Sequence, residues 1–135
     1  MNLTDIKDTF AFLDSWEDKY RFIIDLGKEL PELDDAERRE KYLIRGCQSQ
    51  VWFVPATSEA GALDLKLDSD AHIVRGLIAL VMAAYNGRQP AEILSFDIDG
   101  LFDELELLQH LSPTRGNGLR AILAAIKEYA QNSIS

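Results

Sequence analysis

The run Leu63-Asp64-Leu65-Lys66-Leu67-Asp68-Ser69-Asp70, read together with residues 71–86 that follow it, decides the class of fold. Over 63–68 apolar and polar side chains alternate with period two, which puts three leucines on one face of a half-buried strand. The period then changes. Ile73, Leu77, Ile78, Leu80, Val81 and Ala84 recur at helical spacing and cover more than one stripe, so this helix is expected to lie buried against the sheet. Asp68, Ser69 and Asp70 all offer N-caps, and Asn86-Gly87 supplies the stop. A strand that hands over to a buried helix points to an α+β domain.

Toward the N-terminus, Thr57-Ser58-Glu59-Ala60-Gly61 has turn chemistry, and Gln50 to Pro55 and Lys41 to Arg45 are two further strand candidates. The expectation is a small antiparallel three-stranded sheet covered by helices. Residues 31–40 read as a charged connector, with a helical turn after Asp35. Before it, Ser15 with Asp18 resembles a capping box that opens a helix. That helix carries Trp16, Tyr20, Ile23 and Ile24 on a core face and stops at Gly27 ahead of Pro31. Thr4 is expected to cap a first helix bearing Ile6, Phe10 and Leu13.

Toward the C-terminus, Pro90 opens a turn through Leu94, and Asp97 or Asp99 begins a helix with Leu101, Phe102, Leu105 and Leu108. Ser112-Pro113 starts the last helix, with Leu119, Ile122, Leu123, Ile126 and Ala130 inward; Arg115-Gly116-Asn117-Gly118 is poor helix material in its first turns. There is no internal repeat and no low-complexity segment, and residues 1–135 read as a single domain.

Composition narrows the function. With 23 acidic and 14 basic side chains the formal charge is −9, which disfavours nucleic acid and anionic membrane surfaces as partners. Solubility accounts for most of it. Residues 1–8 carry neither a basic nor an apolar signal region, and the apolar run from Leu77 to Tyr85 falls far short of the ~20 residues that cross a bilayer. A cytoplasmic, soluble protein is expected. The lone cysteine excludes an internal disulfide and fits a reducing compartment.

That cysteine lies in Arg45-Gly46-Cys47-Gln48-Ser49-Gln50-Val51-Trp52. Gly46 can turn at positive φ, and the polar residues after Cys47 give way to a strand signal, so the thiol is expected at a tight turn feeding the sheet. The plain alternative is a small buried hydrophobe without chemistry. Neither histidine pairs with Cys47 at zinc-type spacing, and one thiolate cannot hold an iron–sulfur cluster, so no metal site is expected. Gly116-Asn117-Gly118 lacks the Lys-Ser/Thr of a phosphate loop.

Two chemical readings of Cys47 remain. It could be a hydrolase nucleophile, with His110 as base and an Asp as orienter. Or it could relay sulfur, its thiolate attacking the outer sulfur of a partner's persulfide. The relay needs only a thiolate, access and a leaving thiolate. A free thiol of pKa about 8.5 would gain from a nearby cation such as Arg45 or Arg115. Arg38, Arg39, Lys41 and Arg45 form a basic island just before the cysteine, either a solvated face or a dock for an acidic surface.

Gly46-Cys47-Gln48-Ser49-Gln50-Val51-Trp52 resembles the signature of the SufE family of sulfur-acceptor proteins. The likeness extends to Trp16-Glu17-Asp18-Lys19-Tyr20, to Leu26-Gly27-Lys28-Glu29-Leu30-Pro31, and to Asp68-Ser69-Asp70 with Ile73-Val74-Arg75-Gly76-Leu77. It closes with His110-Leu111-Ser112-Pro113-Thr114-Arg115 and Gly118-Leu119, so it spans nearly the whole chain. The CsdE paralogues share this plan but usually depart after Gly-Cys, so Gln48-Ser49-Gln50 favours SufE, with a CsdE-type protein serving another desulfurase as the alternative.

The resemblance implies an α+β fold similar to the IscU scaffold. It implies that Cys47 accepts persulfide sulfur from a SufS-type, pyridoxal-phosphate cysteine desulfurase, stimulates that enzyme, and passes the sulfur to a SufB-containing scaffold. Such a protein is a sulfurtransferase-like relay rather than a stand-alone enzyme. It has no cofactor of its own, since the pyridoxal phosphate belongs to the partner. Gly46, Gln48, Ser49, Asp70 and Arg115 match positions around the family cysteine and are expected to support it; a homodimer is left open. A persulfide is easily oxidised, so a resting carrier is expected to shelter Cys47 and expose it on docking, with Gly46 as the hinge.

Overall fold

The computed structural model describes residues 2–46 and 49–134; Cys47 and Gln48 lie outside the described residues. Six α-helices surround one antiparallel ribbon: α1 (Leu3–Phe12), α2 (Trp16–Lys28), β1 (Val51–Thr57), β2 (Leu63–Ser69), α3 (His72–Tyr85), α4 (Pro90–Ser95), α5 (Ile98–Glu104) and α6 (Pro113–Ile134). The α+β class holds. Buried side chains from Ile6 of α1 to Ala130 of α6 join in one cluster.

The ribbon has two strands, not the expected three. β1 pairs with β2 from Val51 opposite Ser69 to Thr57 opposite Leu63. Where a first strand was expected, Glu40–Tyr42 coil into a 3₁₀ turn, and only Leu43 bridges to Trp52. The Gln50 carbonyl accepts from Asp70 N–H while the Val51 carbonyl accepts from Ile44 N–H. Backbone groups alternate sides along a strand, so 51, 53, 55 and 57 present theirs to the outer edge. The Leu43–Trp52 bridge sets Tyr42 opposite Phe53, but Tyr42 N–H donates back to the Arg39 carbonyl at 2.9 Å, so the 3₁₀ turn spends the donor that a third strand would need. Pro55, opposite residue 40, closes the outer edge only beyond that point.

The helices follow their local chemistry with informative exceptions. Asn2, rather than Thr4, caps α1, its side chain accepting from Asp5 N–H at 2.9 Å. Ser15 caps α2 through Asp18 N–H, and Asp97 caps α5 through Gly100 N–H. Gly27 is not a stop. It is buried inside the last turn of α2, where a Cβ would lie 2.6 Å from the Gly76 amide nitrogen. A Cβ on Gly76 would fall 2.0 Å from the Ile23 carbonyl oxygen. The two glycines therefore let α2 and α3 cross backbone to backbone, and a methyl at either would push the helices apart.

α3 carries the face expected of it, from Ile73 to Tyr85, but its cap position is Ala71 with no side-chain bond. Asp68, Ser69 and Asp70 are occupied elsewhere. α6 runs unbroken through Gly116-Asn117-Gly118, held by the packing of Leu119, Ile122, Leu123 and Ile126 rather than by propensity. No helix among the described residues is long and apolar enough to cross a membrane.

Candidate functional site around the Gly46–Gln50 loop

The loop that leads from residue 44 to residue 51 is closed at its base by Ile44 N–H donating to the Val51 carbonyl at 2.9 Å. Gly46 enters it at φ +92°. A Cβ there would meet only Ala121 Cβ of α6, at an ordinary 3.6 Å. The backbone sign, not crowding, is what calls for glycine. At the exit, Gln50 is gripped by the end of β2. Its N–H donates to Asp70 Oδ1 at 3.0 Å, and its carbonyl accepts from Ser69 Oγ at 2.7 Å and Asp70 N–H at 3.3 Å. Ser69 Oγ also accepts from Ala71 N–H, which ties the grip to the start of α3.

Of the expected site residues, Ser49, half-buried, and Arg115, exposed, share one cavity of about 310 Å³, whose walls include Val51, Val74, Leu77 and Leu119. The structure thus brings together the β1 end of the loop, α3 and the first turns of α6. Asp70 reaches the loop through Gln50 rather than through the cavity. Cys47 and Gln48, the remaining two, lie outside the described residues.

Arg115 is held from α2: its Nη1 donates to the Tyr20 hydroxyl at 2.6 Å, with the guanidinium 5.9 Å from the ring centre. One turn earlier on α2, Trp16 stacks on His110 at 3.8 Å with planes 15° apart, and Lys19 Nζ sits 5.0 Å from the indole. Trp16 and Tyr20 are therefore half-buried clasps at the edge of the core, Tyr20 packed against it and Trp16 edge-on to Phe10. They fasten α2 to residues 110–115. His110 makes this stack, and no hydrogen bond from its ring to an aspartate is found among the described residues.

Sequence reasoning missed the cluster beneath the loop. Asp68 has no exposed surface, although the period-two pattern assigns it outward. Its Oδ2 accepts from Arg38 Nη2 at 2.8 Å and Leu33 N–H at 3.3 Å; its Oδ1 accepts from Ser69 N–H at 2.8 Å and from Arg75 Nη1. Arg75 Nη2 continues to the carbonyls of Gly27 and Leu30, at 3.1 and 2.7 Å. Burial alone would raise the Asp68 pKa, but the Arg38 bond, the two backbone N–H donors and the Arg75 charge outweigh it and hold the carboxyl below its ordinary range. One signal was available: Arg75 is the only Lys or Arg in the apolar run of α3. Among the described residues no group of three His, Cys, Asp or Glu could hold a metal ion.

Comparison with known proteins agrees with this geometry. The family model described as "SufE: Fe-S metabolism associated domain" matches residues 4–130. An uncharacterized SufE-like protein of Rhizobium meliloti is 45% identical, covering 98% of this chain and 97% of its own length. One from Rhizobium etli is 46% identical, with 96% and 90% covered. A solution structure of a hypothetical protein from Thermus thermophilus shares the fold, with TM-score 0.77 at 19% identity over 98% of this chain and 95% of that one. The α+β fold, the matched span and the full-length relatives together place this chain in the SufE family of Fe–S metabolism associated proteins.

Proposed function

We propose that this chain is a sulfur carrier for iron–sulfur cluster assembly, with Cys47 as its one covalent handle. The Cys47 thiolate attacks the outer sulfur of a cysteine persulfide on a SufS-type desulfurase. The donor's S–S bond breaks, the donor thiolate leaves, and Cys47 becomes the persulfide. No electrons are gained or lost overall. A thiol of the SufB-containing scaffold then attacks the outer sulfur, and the Cys47 thiolate departs in turn. The pyridoxal phosphate that generates the first persulfide is the desulfurase's.

The observation that carries this reading is the loop itself. The segment containing the chain's only thiol starts at a left-handed glycine, ends at Gln50 under three hydrogen bonds from Ser69 and Asp70, and borders a cavity that also contains Arg115. Among the described residues these three bonds gather on Gln50, so the exit of the loop can loosen without disturbing the core below it. Asp70 is then the releasable tie, and Arg115 a cation that favours the thiolate. Family membership supports the same reading at the coarser level of Fe–S metabolism.

The test is the intact mass of the chain after incubation with a cysteine desulfurase and cysteine. Wild type gains one sulfur atom and Cys47→Ser gains none. A sulfur on the variant, or none on wild type under turnover, would refute the proposal.

A further inference from the structure

We infer that Arg39, Lys41 and Arg45 form a docking surface for an acidic protein partner, which we take to be the carboxylate-bearing face of the sulfur donor; the choice of donor rests on the carrier reading above. The starting point is a mismatch of charge. The chain has 23 carboxylates for 14 cationic side chains, so pairing partners are abundant. Lys7, Arg21, Lys28, Arg38, Lys66 and Arg75 all take them. Arg39, Lys41 and Arg45 are exposed and have no carboxylate at ion-pair distance among the described residues; Lys19, Arg88, Arg115, Arg120 and Lys127 share that, but they are scattered over other parts of the chain. Arg39, Lys41 and Arg45 all stand on the one segment that runs into the thiol loop.

That segment is anchored at both ends. Arg38 is bound to buried Asp68 and lies 5.7 Å from the Trp52 ring centre; Leu43 bridges to Trp52 and Ile44 bonds to Val51. Between the anchors the 3₁₀ turn Glu40–Tyr42 keeps Lys41 against its own neighbour, with Nζ 5.0 Å from the Tyr42 ring centre. Glu40 is the single acid in 39–45. The result is a cationic segment beside the loop, with Arg39 and Lys41 between the anchors and Arg45 directly after Ile44, on a molecule of net charge −9. An acidic partner is repelled by most of this surface and attracted by the segment, so the field turns the thiol loop toward it before contact. A phosphate backbone would meet the same net repulsion along its length, with only a short segment to offset it.

The experiment measures association of the full chain with a SufS-type desulfurase by stopped flow, at low and high salt. The triple variant Arg39→Glu/Lys41→Glu/Arg45→Glu is expected to associate at least ~10-fold more slowly at low ionic strength. The deficit should shrink as salt screens the charges. Arg39→Lys/Arg45→Lys should keep the wild-type rate, as should Arg88→Glu/Lys127→Glu, which alters cations elsewhere in the chain. Since all three side chains are exposed the fold should persist, and Arg45→Glu alone should act in the same direction. An unaltered rate in the triple variant, or an equal loss in the Arg88/Lys127 control, would overturn the inference. So would tighter binding of a single-stranded RNA oligonucleotide through the same residues. Sulfur loading separates the two proposals: charge-dependent docking without any mass gain in wild type would keep the surface and remove the carrier.

Discussion

Asp68 and Asp70 stand two residues apart at the same end of the ribbon and are put to opposite uses. Asp68 is sealed from solvent under four donors that reach it from the connector, the strand and α3. Asp70 is exposed, and among the described residues its carboxylate carries one bond, from the Gln50 N–H. The first joins three parts of the core, so its loss is a global event. The second is a surface tie on a short loop, so its loss is local. A loop that has to open can be held by the second kind of contact only if the first kind keeps everything beneath it in place.

The largest effect should come from breaking the buried partner. Asp68→Asn leaves Arg38 and Arg75 without their shared anion and is expected to cost about 3–5 kcal/mol of folding stability, read by urea unfolding at neutral pH. The same residue sets an acid limb. Its folded pKa lies below the unfolded one, so its contribution is complete above the ordinary carboxylate range and fades as pH falls through the lowered folded value. In Asp68→Asn the stability curve should be flatter there; an identical acid limb would mean other carboxylates produce it.

Asp70→Ala comes next and should divide global from local. About 0.5–1.5 kcal/mol is expected from the lost bond. Amide exchange should quicken at Gln50 while Leu33 and Arg75 stay as protected as in wild type. Equal quickening at all three would erase the distinction between the two aspartates.

The smallest effect sharpens the comparison from a third side. The Tyr85 hydroxyl is buried with no hydrogen-bond partner among the described residues, and burial, with Asp99 adding to it, pushes its pKa up to about 12. Asp68 is buried and satisfied; Tyr85 is buried and is not. Tyr85→Phe should therefore leave thermal stability unchanged or raise it by up to about 1 kcal/mol. A clear loss would show that the hydroxyl has a partner.

Much of the fold could be read from periodicity, because the sheet and α3 bury what their patterns say they bury. Leu63, Leu65 and Leu67 are inside, as is the face of α3 from Ile73 to Ala84. What periodicity could not show is contact between distant segments. Gly27 has the local signature of a helix stop, but its neighbour across the crossing is Gly76, far along the chain. Asp68 reads as solvent-facing because nothing in its own strand says that a charged connector folds over it. The third strand failed for a local reason instead: Lys41–Arg45 is a fair strand by composition, but the Tyr42 N–H bonds back to Arg39 in a 3₁₀ turn rather than across to Phe53. At the site, the Gly46 turn and the shared surroundings of Ser49 and Arg115 were legible; the Tyr20 and Trp16 clasps were not, since aromatic residues at helical spacing look like core whether or not a rim residue waits for them.

Pro55 has a further consequence. A two-stranded ribbon leaves a flank where another polypeptide could add itself by main-chain bonding. By withholding a donor halfway along β1, Pro55 interrupts the template and makes uncontrolled self-association costly.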